Sequence, residues 1–162
     1  MEYINAPWRA QYVKNVYKTK GCIFCQALKQ EDDRKAFILY RGRNNFIILN
    51  KYPYTPGHLM IAPFRHLDSP EKATKAAAHE MGDIQVLCLK ILRDHYQPQG
   101  FNIGMNLGKC AGAGVASHYH IHIIPRWPGD SNFMPLVGET RVVIESLETT
   151  FEQLAPRFRE HT

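Results

Sequence analysis

Three histidines alternate with apolar residues in the run His118-Tyr119-His120-Ile121-His122-Ile123-Ile124. Alternate side chains of a β-strand leave the same face about 6.6 to 7 Å apart. One strand would therefore show three imidazoles on one side and send Tyr119, Ile121 and Ile123 into a core on the other. A neutral imidazole can attack an electrophile, move a proton or bind a metal near neutral pH. Three titratable rings are poor core filler, because every buried ring nitrogen needs a partner that an apolar core does not supply. A metal-only reading stays open beside a catalytic one. Pro125 has no N–H to donate, so the ladder is expected to end at Ile124-Pro125.

Just upstream, Asn106-Leu107-Gly108-Lys109-Cys110-Ala111-Gly112-Ala113-Gly114 is a loop of small residues. Its backbone N–H groups can turn toward an anion, as phosphate-binding nests do, and a phosphate beside three histidines is the first functional hypothesis. Near the start, Cys22-Ile23-Phe24-Cys25 is a Cys-x-x-Cys knuckle, which suits a tetrahedral zinc ion if two more ligands arrive from elsewhere. A redox pair is the rival reading, but the strand expected before such a motif is missing. Cys110 reads as an incidental small residue of the loop.

The elements that must position these residues follow from hydrophobic periodicity. Ala36 to Arg41 and Asn45 to Leu49 read as two strands joined by Gly42-Arg43-Asn44, and His58 to Pro63 as a third after a proline-rich loop. Ser69 as N-cap, Pro70 and Glu71 open a long helix to about Tyr96, with Ala73, Ala77, Met81, Ile84, Cys88, Ile91 and Leu92 on its buried face. Phe101 to Leu107 is a strand leading into the glycine loop. After the Trp127-Pro128-Gly129-Asp130 turn, residues from Glu145 to Ala155 are predicted helical, kinked or ended by Pro156 and covering the edge of the sheet. Short antiparallel strands with one long crossing helix give an α+β class.

The 162 residues, 44% hydrophobic and 22% charged, suit a single domain with a real core. The net charge of +5 fits an anionic ligand, but the basic residues are too dispersed for a nucleic-acid track, and no nucleic-acid partner is expected. No apolar leader and no window of 18 apolar residues is visible, so the reading is a cytoplasmic protein without a membrane partner, whose four cysteines are thiols or metal ligands.

The triad followed by two apolar residues resembles the signature of the histidine-triad (HIT) family of nucleotidyl hydrolases and transferases. Asn50, Pro53, Gly57-His58, Pro63 and His66 fall where that family carries its N…P…GH…P…H segment, so the resemblance covers roughly residues 21 to 128. Ala111-Gly112-Ala113-Gly114-Val115-Ala116-Ser117, together with Pro125-Arg126-Trp127 and the residues after it, is similar to the bacterial branch related to diadenosine tetraphosphate phosphorylases. The common family pattern has Ala-Gly-Gln and one residue fewer here, so individual phosphate contacts do not carry over.

The resemblance implies a HIT fold with a five-stranded antiparallel sheet over 1–162. Residues 1–20 would form an arm, 21–128 the core and 129–162 a C-terminal extension, in a chain that pairs as a homodimer. It makes His120 the nucleophile and His122 a charge-stabilising partner. Asn50 becomes a ribose contact, against the alternative of a turn-forming Asn, and His58 a support behind the site. Asn106, Gly112, Gly114 and Ser117 would line the phosphate side. Cys22, Cys25, His66 and His118 would complete a structural Zn2+ site. The implied substrate is an adenosine dinucleoside polyphosphate, cleaved by phosphorolysis if phosphate is the acceptor and by hydrolysis if water is. Hydrolysis of nucleoside phosphoramidates, and a non-catalytic nucleotide- or RNA-binding module, are the alternatives.

Overall fold

The computed structural model describes residues 21–130 and 145–161, and the arm expected over 1–20 lies outside the described residues. In chain order these hold α1 (Ile23–Leu28), α2 (Asp33–Ala36), β1 (Ile38–Arg41), β2 (Asn45–Leu49), β3 (Leu59–Pro63), α3 (Lys75–Tyr96), β4 (Gly100–Gly104), β5 (Ile121–Arg126) and α4 (Leu147–Arg159). The strands form one antiparallel sheet in the order β1-β2-β3-β5-β4. After β3 the chain crosses along α3 and returns as β4 on the outside, and β5 then inserts between β3 and β4. The expected α+β architecture is what forms.

The strand pattern explains where the cores sit. Every residue of β2 and β3 is buried, as strands covered on both faces must be. Ile47, Leu49, Leu59, Ile61, Ile121, Ile123 and Tyr119 pack with residues of α3 and α4, while Phe46, Ile48, Met60 and Ala62 pack on the opposite face with Phe24 of α1. Turning the chain back between β1 and β2 depends on Glu80 of α3. Its carboxylate accepts the backbone N–H groups of Arg43 (2.5 Å) and Asn44 (2.7 Å) and the Asn45 amide (2.8 Å). A Cβ at Gly42 would lie 2.7 Å from Glu80 Oε1, so the turn needs glycine there.

Several expected boundaries move. The long helix begins at Lys75 with Thr74 as its N-cap, the Thr74 hydroxyl accepting from the Ala77 N–H at 3.2 Å. Ser69 precedes only a 3-10 turn, because its hydroxyl is bonded to the Glu71 carboxylate instead of capping the backbone. The end at Tyr96 and the buried face from Ala77 to Leu92 are as expected. β1 starts at Ile38, since Asp32 caps the helical turn of α2 and Phe37 closes it in a left-handed conformation (φ 58°). β4 stops at Gly104 rather than Leu107.

Pro125 does not end its ladder, and Pro156 does not end its helix. β5 runs through Pro125 to Arg126, pairing Pro125 with Phe101 and Arg126 with Gly100. The Pro125 carbonyl accepts from the Thr55 hydroxyl (2.9 Å), on the side where β3 has already ended at the Leu59–Ile123 pair. N–H and C=O of one strand residue point the same way, so the missing donor costs no ladder bond. Likewise α4 runs through Pro156 to Arg159. A mid-helix proline costs about 3 kcal/mol, but each large apolar side chain fully buried contributes about 1.5–3 kcal/mol. Phe158, beyond the proline, is 0% exposed. α4 covers the β1 edge as expected, with Phe158 against Tyr40 and Phe151 against Phe37 (ring centroids 6.5 and 6.4 Å).

Candidate active site

Only His122 lies in the paired part of β5, yet the alternation holds along the whole run. Tyr119, Ile121 and Ile123 enter the core shared with α3 and α4, and the three histidines face the side of α1. His118 and His120 are buried (0% and 6% exposed) and His122 is half-buried.

His118 belongs to a cluster. Its Nε2 lies 2.8 Å from the Pro63 carbonyl, an acceptor only, so Nε2 carries the proton and Nδ1 the lone pair. That Nδ1 lies 3.3 Å from Cys22 Sγ and 3.7 Å from Cys25 Sγ, while His66 Nδ1 is 3.3 Å from Cys25 Sγ. The four ligand atoms lie within 4.8 Å of one another. Around a tetrahedral zinc, bond lengths of about 2.0 to 2.3 Å put neighbouring ligand atoms about 3.3 to 3.8 Å apart. The donor set and the three separations of 3.3 to 3.7 Å suit such an ion, with the carbonyl behind His118 fixing its tautomer as outer partners of metal ligands do. Cys22 is the N-cap residue of α1 and Cys25 lies inside its first turn, which brings both sulfurs to one side. Burial pulls the His118 imidazole down to about 4, keeping it neutral, and pushes the Cys22 thiol up. A cation among the four would offset the burial penalty on the thiolates.

His120 is held differently. Its Nδ1 lies 2.9 Å from the His118 carbonyl, so Nδ1–H donates and Nε2 keeps its lone pair. Burial holds the ring below the ordinary histidine range, against the opposing pull of that carbonyl. The Phe24 ring lies against both His120 and His118, with centroids 4.8 and 5.1 Å away.

At His122 a chain of bonds decides the tautomer. The Tyr54 N–H donates to His58 Nδ1 (3.1 Å), so His58 carries its proton on Nε2 and donates it to His122 Nδ1 (2.9 Å). A neutral His122 then presents an N–H at Nε2. His58 is 1% exposed, with the Tyr54 ring stacked on it at 5.1 Å. Asn50 places its Nδ2 3.4 to 3.5 Å from the His58 ring nitrogens, and its Oδ1 accepts the Tyr52 N–H at 2.9 Å.

The glycine loop starts and ends at the triad. Gly104 pairs with His122, and cross-strand partners share a face. Among the described residues, a Cβ at Gly104 would meet nothing within 4 Å, which leaves room beside His122. The loop then passes a 3-10 turn, Lys109–Ala111, with positive φ at Gly108 (79°) and Gly112 (82°), and returns through exposed Ser117 to His118. Asn106 holds its middle by donating to the Gly112 carbonyl (3.4 Å). Gly114 is half-buried on the return path and Cys110 is exposed.

Sequence reasoning missed Phe24, Tyr54 and Gly104. Phe24 had a signal, since it sits between the two cysteines. The Tyr54 contribution is a backbone N–H, which no residue type announces.

Comparison with known proteins agrees with this geometry. The family model described as HIT domain matches residues 31–129. An AP-4-A phosphorylase of Mycobacterium tuberculosis is 36% identical over 128 residues, 79% of this chain. The chain spans 66% of the length of that relative. A bis(5'-adenosyl)-triphosphatase of Dictyostelium discoideum is 29% identical, covering 79% of this chain and 89% of the relative. The crystal structure of a hypothetical histidine triad nucleotide-binding protein from Sulfolobus tokodaii superposes with a TM-score of 0.68 at 25% identity, covering 86% of this chain and 93% of that one. Among the described residues, no helix is long and apolar enough to cross a membrane.

Proposed function

The chain belongs to the HIT family, and from that premise we propose that it cleaves adenosine dinucleoside polyphosphates by nucleotidyl transfer through His120. The observation that carries the reading is the 2.9 Å bond from His120 Nδ1 to the His118 carbonyl. It leaves the Nε2 lone pair to attack an α-phosphorus. A P–N bond forms, the P–O bond to the departing nucleotide breaks, and the imidazolium so made keeps its Nδ1–H on the carbonyl. An acceptor then attacks the same phosphorus and returns His120 to its neutral form. His122, offering Nε2–H, and the backbone N–H groups of the loop carrying Asn106, Gly112, Gly114 and Ser117 stabilise the charge that grows on the non-bridging oxygens. Asn50 contacts the ribose, and His58 orients His122.

Cys22, Cys25, His66 and His118 would hold one zinc ion. With four protein ligands and no open position, the ion supplies structural orientation of the segment rather than an activated water. β4, at the edge of the sheet with Ile103 exposed, is the surface we assign to a second copy of the chain. A reducing, cytoplasmic setting suits the free thiols.

Phosphorolysis is the preferred course, supported by the 36% identity to the mycobacterial phosphorylase. The likeness to the Dictyostelium triphosphatase favours hydrolysis as the second reading. Incubation with diadenosine tetraphosphate, with and without inorganic phosphate, separates them. Phosphate-dependent ADP plus ATP is the expected result, and AMP plus ATP regardless of phosphate marks a hydrolase. Nucleotide binding without turnover would make the chain a binding module.

A further inference from the structure

Phe24 connects the two halves of the site. It is 0% exposed, its ring centroid lies 4.8 Å from that of His120 and 5.1 Å from that of His118, and it forms a T-shaped pair with Phe46 at 6.3 Å. It sits between Cys22 and Cys25 on α1, a helix of six residues without a side-chain cap. So short a helix has little stability of its own. Its place on the sheet is held by Phe24, by Ala27 and Leu28, which pack on the same apolar cluster, and by the two cysteines. On the other side, His120 has, among the described residues, one directed bond, to the carbonyl of His118, and His118 is itself one of the four clustered ligands. That bond fixes one edge of the imidazole, and the Phe24 ring, tilted 47° to it at 4.8 Å, limits its swing on the side of α1, as the His122 ring, also at 4.8 Å, does from within the triad.

We propose that Phe24 is a positioning residue that couples the Cys22–Cys25–His66–His118 cluster to the His120 imidazole, so that metal in the cluster sets the aim of the nucleophile. The role rests on the nucleotidyl-transfer reading given above. A ring displaced by about 1 Å at a reacting atom can cost on the order of 100-fold in rate, so a wall of one side chain is a sufficient lever.

The test uses Phe24→Ala and Phe24→Leu, which keep all four ligands, with three readouts: zinc content, kcat and KM for diadenosine tetraphosphate with phosphate, and the imidazole nitrogen and Nδ1–H resonances of His120. Phe24→Ala should retain about one zinc per chain. Its kcat should fall about tenfold to 100-fold with KM within about threefold, and Phe24→Leu should fall between it and wild type. The His120 Nδ1–H signal should shift or broaden in Phe24→Ala and in wild-type protein stripped of metal by a chelator. An unchanged kcat in metal-loaded variants, a loss confined to KM, or a His120 signal indifferent to metal removal would each overturn the coupling. Should Phe24→Ala not fold, the leucine variant and the stripped wild type decide. Wild-type protein without turnover would refute the proposed activity alone, because the His120 resonance still reports whether the cluster and the ring are coupled.

Discussion

On one side of the 118–123 segment, Tyr119, Ile121 and Ile123 are surrounded by apolar residues of β2, β3, α3 and α4. On the other, His118, His120 and His122 are each oriented by one or two directed bonds, to the Pro63 carbonyl, the His118 carbonyl and the His58 ring. The apolar side spreads its energy over many weak contacts, none of which fixes an angle. The polar side concentrates orientation in single donors and acceptors. Changes on the first side should therefore cost stability, and changes on the second should cost chemistry.

The largest expected effect is His120→Ala. If His120 is the nucleophile as proposed, losing it should lower kcat by on the order of 10⁴-fold or more, while the thermal midpoint stays close to wild type. His122→Ala should be milder, about 10² to 10³-fold in kcat, the usual loss for one charge-stabilising donor. Steady-state kinetics and a melting curve on the same samples check both. If His122→Ala destabilised the fold as much as a core truncation does, the two sides would not differ as described.

Ile123→Ala probes the other side. Ile123 is 0% exposed, and truncating a buried Ile to Ala costs about 2–5 kcal/mol. Denaturant unfolding should register that loss, whereas kcat per folded molecule should stay within a few-fold of wild type. A core variant that stayed stable yet lost kcat would break the comparison.

The smallest effect is expected at Glu80. Burial pushes this carboxyl up, but the Arg43 and Asn44 N–H groups and the Asn45 amide outweigh it and hold the carboxylate below its ordinary value of 4.5. A depressed acid contributes stability that is fully present above its unfolded pKa and lost as pH falls through its folded one. Wild type should therefore lose stability as pH drops below about 4.5, and Glu80→Gln should flatten that slope. At pH 7 the variant should be weaker by about 1–2 kcal/mol. Urea melts across pH 3 to 7 measure both.

The alternation at 118–123 was legible because its period of two belongs to the side chains themselves. So was the buried face of α3, from Ala77 to Leu92. The four-residue cluster was legible only through the resemblance, since residues 22, 25, 66 and 118 meet by tertiary folding. What escaped were contributions of the backbone: the Pro63 carbonyl that sets the His118 tautomer and the Tyr54 N–H that sets that of His58. The helix start escaped because Ser69 and Thr74 are equally good caps until Glu71 claims the Ser69 hydroxyl. Pro125 misled because proline's cost in a strand depends on whether its missing N–H had a partner, and Pro156 because burial of Phe158 beyond it offsets the lost helix bond.

Central to all of this is the proposed covalent bond to His120. Diadenosine tetraphosphate labelled at the α-phosphate, mixed with enzyme in phosphate-free buffer and quenched under alkaline denaturing conditions, tests it directly. Acid-labile label on the peptide containing His120, absent from His120→Ala, is the expected result. Label that persists in that variant, or that maps to another residue, would contradict the assignment of His120 as the nucleophile.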